Sequence, residues 1–284
     1  MRARAVLVLL AVLGCGGRNA IVVGSKNFTE QQILGELMAQ TLEALGAPVT
    51  RRLGLGGTFV CDTALRAGQI DIYVEYTGTA LTAIMKKPPV RDPAEALTQV
   101  RAAYEANGLV WTTPLGFDNS FALVIRGEDA KRLQIHTISE AVPHASEWGA
   151  GFGYEFLQRQ DGYPGLHRTY DILFKSVRVM DLGLLYPALN EGQVDIVAGN
   201  ATDAQIGHFG MAILEDDKGY FPPYQAVPVV RKEALESRPE LRQLVDKLGG
   251  RITAATMQKL NYGVDGEHRD AAEVVRQFRA EAGL

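Results

Sequence analysis

The chain has 284 residues, 46% hydrophobic and 22% charged, with a formal net charge of −4. That is enough for one large globular unit or two modest ones, and no basic stretch is long enough to suggest nucleic acid as a partner. No apolar run after residue 20 is long enough to cross a bilayer as a helix, which takes about 20 residues.

Arg2 and Arg4 precede a short apolar run, residues 5–13, and this start reads as a processing segment rather than fold. It ends in Val12-Leu13-Gly14-Cys15, which resembles a bacterial lipobox, where the cysteine becomes the lipidated first residue of the mature protein. The competing reading is an ordinary signal peptide. Lipidation of Cys15 makes residues 1–15 a signal segment and anchors an extracytoplasmic domain in the membrane. It also leaves Cys61 without a partner, as a small packing residue in a helix.

Residues 20–24 (AIVVG) read as a buried strand. Residues 30–45 have helical spacing in Ile33, Leu34, Leu37, Met38, Leu42 and Leu45, and stop at Gly46. A second strand is expected over 49–53, a glycine-rich turn over 54–58, a helix over 60–67 and a third strand over 70–74. Strands alternating with helices predict an α/β fold with mostly parallel sheets flanked by helices. Helices over 239–248, 254–262 and 268–282 are expected to return to the first lobe.

An internal echo indicates two lobes. Residues 64–79 (ALRAGQIDIYVEYTGT) and 188–203 (ALNEGQVDIVAGNATD) share six identities at a constant offset. Each copy reads as a helix end, a glycine stop, an apolar strand and a polar loop. Ligands of open α/β sheets bind beyond the carboxyl ends of strands, so the loops 75–79 and 199–203 are expected to face one another across a cleft. The crossings between lobes are expected near 117–120 and 220–224, with lobe 1 at 20–118 plus 225–284 and lobe 2 at 119–224.

Nothing in the chain supports catalysis. The five histidines have no metal-ligand spacing, no GxSxG elbow is present, and the GLGGT turn lacks the Lys-Ser/Thr of a phosphate loop. No metal and no cofactor are implied. The polar loops suit a binding site instead. A quaternary ammonium is held by ring faces, and a carboxylate by cations, hydroxyls or helix N-termini. Lys26, Tyr76, Thr79, Phe121, Arg159 and Tyr224 supply both kinds of group.

The runs VGSKNFTEQ (23–31), LGGT (55–58), GQIDIYVEYTGTAL (68–81), GFDNSFAL (116–123), RQDGYPGL (159–166), DLGLLYPALNEGQVD (181–195) and FPPYQAVPVVR (221–231) resemble the glycine betaine/carnitine/choline-binding proteins of ABC importers, the OpuAC-like or ProX-like family. The resemblance implies a two-lobed periplasmic-binding-protein type II fold with a hinge of two crossing segments. It also implies a monomer that captures a small zwitterion and delivers it to an ABC permease. An aromatic box for the cationic head is then expected at Tyr76, Phe121, Asn200 and Tyr224, and carboxylate partners at Lys26, Thr79 and Arg159. Phe121 and Asn200 stand where tyrosines are usual. An amide has no π face, so either three rings hold the trimethylammonium head, more weakly, or the ligand presents a polar group at Asn200, as a larger betaine such as carnitine or ergothioneine or an amino-acid-like ligand would. Phe117 rivals Phe121 as a ring donor, Thr79 also reads as a helix N-cap, and Asp203 reads as a helix cap. The alternatives are a polar amino-acid-like ligand or other carboxylate in the same fold, or a tethered ligand sensor.

Overall fold

The computed structural model describes residues 20–284; Cys15 and its lipobox lie outside them. The strands are β1 (Ile21–Gly24), β2 (Val49–Arg52), β3 (Ile72–Tyr76), β4 (Leu109–Trp111), β5 (Phe121–Ile125), β6 (Gly149–Phe152), β7 (Ser176–Val179), β8 (Ile196–Asn200), β9 (Ala212–Leu214) and β10 (Ala226–Arg231). They form two five-stranded sheets, ordered β2-β1-β3-β10-β4 and β7-β6-β8-β5-β9. Helices cover both faces of each, and every sheet lies between two apolar clusters.

Each sheet is mixed, with two parallel and two antiparallel pairings. The expected parallel character holds on the β1–β3 and β6–β8 sides. It reverses at β10 and β5, the strands that carry the chain in from the other lobe and run opposite to their neighbours.

The echoed segments adopt the same structure. β3 and β8 occupy equivalent positions in the two copies, each between a parallel and an antiparallel neighbour. The helices before them end at Gly68 and Gly192, with φ of 70° and 72°, where a side chain would strain the backbone. The aspartates before the strands are also twins. Asp71 accepts the Val22 N–H at 2.9 Å and pairs with Arg231 at 3.1 Å. Asp195 accepts the Gly149 N–H at 2.9 Å and pairs with Arg126 at 3.0 Å.

Two helices frame the first lobe's part of the cleft: α1 (Thr29–Ala44) and α2 (Thr58–Arg66). The C-terminal helices Pro239–Leu248, Ala254–Asp265 and Ala271–Ala282 pack on the first lobe, with Leu241, Leu244, Met257, Leu260, Val274 and Val275 in one core with Ile21, Val23 and Leu34. The connections between sheets run side by side: Asp118 bridges Gln225, and the Asn119 N–H donates to the Tyr224 carbonyl at 3.1 Å.

Candidate ligand-binding cleft

Side chains at the carboxyl ends of β3 and β8, and beside the crossing strands, open into one cavity of about 570 Å³ between the lobes. Lys26, Tyr76, Thr79, Phe121, Arg159, Asn200 and Tyr224 all line it. Topology explains the convergence. Tyr76 ends β3 and Asn200 ends β8. Phe121 starts β5 opposite Asn200, and Tyr224 lies just ahead of β10, which pairs with β3.

The cavity's rings fall into two contacting groups. Phe121 stands edge-on to Tyr224 (5.5 Å between centroids) and to Phe156 (5.0 Å). Tyr76 stacks with Phe28 at 6.5 Å. Phe28 and Phe156 also line the cavity and extend the expected ring set. Phe117, the rival to Phe121, is buried in the first lobe's core.

Both expected cations already have acidic partners. The Lys26 ammonium donates to Glu75 at 2.5 Å and to the Thr58 hydroxyl at 3.0 Å, and lies 5.1 Å from the Tyr76 ring centre. Burial pushes the Glu75 carboxyl up, against the opposing pull of Lys26. Arg159 grips Asp161 through two donors, at 2.9 and 2.5 Å, donates to the Thr79 hydroxyl at 3.1 Å, and sits 5.0 Å from the Phe121 ring centre. Burial alone would lower the Arg159 pKa, but the charge and hydrogen bonds of Asp161 raise it. Burial likewise raises Asp161, and the guanidinium outweighs it, so its carboxyl falls below the usual range. The Tyr224 hydroxyl donates to Asp161 at 2.8 Å. Thr79 therefore does not cap a helix; its hydroxyl serves Arg159.

Asp203 sits at the N-cap position of the helix Ala204–His208 without capping it. Its carboxylate turns back to accept the Asn200 N–H at 2.8 Å and the Tyr186 hydroxyl at 2.6 Å. Burial raises its pKa to about 6, with Tyr186 and Asn200 opposing. The cap reading fails because these donors hold the side chain on the strand side of the turn.

Several groups escaped sequence reasoning. Glu30, wholly buried, accepts the Tyr76 hydroxyl at 2.5 Å, the Asn119 amide at 2.8 Å and the Thr202 hydroxyl at 2.5 Å. Burial raises its pKa, and the three hydrogen bonds oppose that rise. Asp161 was legible only as the second residue after Arg159. Glu155 carries no local signal. Among the described residues, no cluster could hold a metal ion and no helix is long and apolar enough to cross a membrane. Cys61 is free and buried, and desolvation pushes its thiol up to about 12, away from the thiolate form that reacts.

Comparison with known proteins agrees with this architecture. Residues 19–281 match the family model for the substrate-binding domain of ABC-type glycine betaine transport systems. The chain is 37% identical to a glycine-betaine-binding protein of Pseudomonas aeruginosa, over 97% of this chain and 92% of that one. It is 34% identical to a carnitine transport binding protein of Listeria monocytogenes, over 94% and 88%. An ergothioneine transport permease/ergothioneine binding protein of Helicobacter pylori is 36% identical over 98% of this chain, which spans 51% of that protein's length. The crystal structure of a glycine betaine/carnitine/choline ABC transporter protein superposes with a TM-score of 0.75 at 31% identity, covering 92% of this chain and 98% of that one. With two lobes, a cleft at the strand ends and a family match along nearly all its described length, the chain belongs to the substrate-binding proteins of ABC-type glycine betaine importers.

Proposed function

We propose that the cleft captures a quaternary ammonium zwitterion of the betaine class and hands it to an ABC permease. The observation that carries this reading is the meeting of the Tyr76, Phe121 and Tyr224 rings with Lys26 and Arg159 in one cavity. The ring faces hold a trimethylammonium head, each for roughly 0.5–2 kcal/mol. Lys26, Thr79 and Arg159 hold the carboxylate with the donors left over from Glu75 and Asp161. Asn200 replaces one cage ring by an amide, which favours a betaine with a polar substituent over glycine betaine itself.

The ligand bridges lobes bounded at 118/119 and 224/225, and it closes them to the extent that it prefers the closed form. The permease and its ATPase are separate subunits. The protein is a monomer that performs no catalysis, and it is held outside the cytoplasm by a lipid on Cys15. Relatives named for glycine betaine, carnitine and ergothioneine support the ligand class.

Calorimetric titration with glycine betaine, choline, carnitine, ergothioneine and proline tests the reading. A trimethylammonium ligand should bind, and Tyr76→Ala and Arg159→Ala should each weaken it. Silence toward every such ligand would leave the fold standing and remove the betaine assignment.

A further inference from the structure

The acids around the cleft differ in what faces them. Glu75 meets the Lys26 ammonium, and Asp161 and Glu155 meet the Arg159 guanidinium. Glu30 lines the same cavity and is 2% exposed, yet the hydrogen-bond partners of its carboxylate are all neutral: Tyr76, Asn119, Thr202 and, at 3.5 Å, Asn261.

The network around Glu30 holds it as a carboxylate. The Tyr76 hydroxyl accepts from the Gln31 amide at 3.0 Å, so its own proton turns to Glu30. The Asn119 amide oxygen accepts the Thr202 N–H at 3.3 Å, which leaves its nitrogen to face Glu30. One oxygen of Glu30 therefore accepts from two groups that donate to it. Glu30 also lies in the first turn of the 16-residue helix α1, beside that helix's positive end. Donors to the charged form and a positive helix end both favour ionisation against the cost of burial. Asp203, whose partners are the neutral Tyr186 hydroxyl and Asn200 N–H, acts on Glu30 through its own charge, so the two acids reinforce one field.

We propose that Glu30 is the counter-charge of the ligand's cationic head, so that the cleft selects a quaternary ammonium by a buried negative charge as well as by ring faces. The inference rests on the ligand class proposed above. A buried charge among neutral donors keeps most of its field, because little water or salt screens it. Apolar contact treats a trimethylammonium and a tert-butyl group alike, whereas Glu30 attracts only the first. The field acts through space and does not need the Tyr76 hydroxyl, which serves to hold the carboxylate in place.

Two ligands and two variants test the proposal. Glycine betaine and tert-butylacetate share a shape and a carboxylate, and differ in having nitrogen or carbon at the head. Competition titrations give the ratio of their affinities, a quantity that a merely structural disturbance leaves alone because it weakens both. Glu30→Gln fits the site: its amide oxygen can serve Tyr76 and Asn119, and its amide nitrogen can donate to the Thr202 hydroxyl, which turns to accept. It should lower the betaine-to-isostere ratio about tenfold, the order expected of one unit charge acting across a ligand-sized distance. Glu30→Asp keeps the charge on a shorter arm, and should hold the ratio within about threefold of the parent protein whatever it costs in stability. An unchanged ratio in Glu30→Gln would overturn the counter-charge, and so would an equal fall of the ratio in Glu30→Asp. If the parent protein binds no trimethylammonium ligand at all, the betaine reading itself falls, and this inference falls with it.

Discussion

The Glu30 carboxylate of α1 accepts the Thr202 hydroxyl at 2.5 Å, and this contact joins the first lobe to the loop after β8 in the second. The same carboxylate holds Asn119 of a crossing segment and Tyr76 of the cleft wall. Asn261 of the C-terminal helix Ala254–Asp265 donates to the Thr202 carbonyl at 3.0 Å. A buried acid is costly without partners, so Glu30 ties lobe position to its own hydrogen bonding.

Thr202→Val removes that hydroxyl at nearly constant volume. A hydrogen bond to a charged group is worth about 1.5–3 kcal/mol, and stability should fall by that order in urea unfolding. A loss under about 0.5 kcal/mol would show that water replaces the hydroxyl.

Tyr76→Phe separates the ring from its hydroxyl. The phenyl face remains for a cation, while Glu30 and Gln31 lose a partner. Binding of a trimethylammonium ligand should stay within about threefold of the parent protein while the melting temperature drops. Tyr76→Ala should weaken the same ligand by about 2- to 30-fold, the equivalent of one cation–π contact.

Asn200→Tyr restores a ring at the end of β8. If three rings already hold the ammonium, the fourth should tighten glycine betaine by about 2- to 30-fold. It should also weaken a ligand that uses the amide. Parallel titrations of glycine betaine and carnitine read the two effects separately.

Asp203 predicts a pH signature. Its pKa in the folded protein is about 6, above the ordinary value of 3.8. Between these values the folded state binds the additional proton, so this residue makes stability fall as pH rises from about 4 to 6. Asp203→Asn keeps an acceptor for Tyr186 and Asn200 and removes the titration. The variant should therefore gain on the parent protein across that window, by about 3 kcal/mol at most, and the difference should level off above it. Thermal unfolding of both proteins from pH 4 to 7.5 measures it.

The twin aspartates should behave alike. Asp71→Ala and Asp195→Ala each strip an acceptor from a strand N–H and a partner from an arginine. Each should cost about 1–3 kcal/mol in denaturant unfolding.

The sequence by itself determined the elements and their two-lobed repetition, because both are local. Apolar spacing sets α1, glycine sets the turns at Gly68 and Gly192, and the repeated Gly-Gln-x-Asp-Ile placed β3 and β8 at matching positions. Boundaries slipped by about two residues at β3, where the expected strand ended at Val74 and the structure continues to Tyr76 through paired backbone with Ala226. The seven cleft residues were legible because each sits in a recognisable run, most of them beside a strand end and Arg159 at the end of the short helix Tyr154–Gln158. What only the tertiary structure decided is which charges are already neutralised. Lys26 meets Glu75 from 49 residues away, Glu155 meets Thr58 from 97, and Glu30 meets Thr202 from 172. A side chain's effective charge depends on what folding places within a few ångströms, and no spacing along the chain encodes that distance.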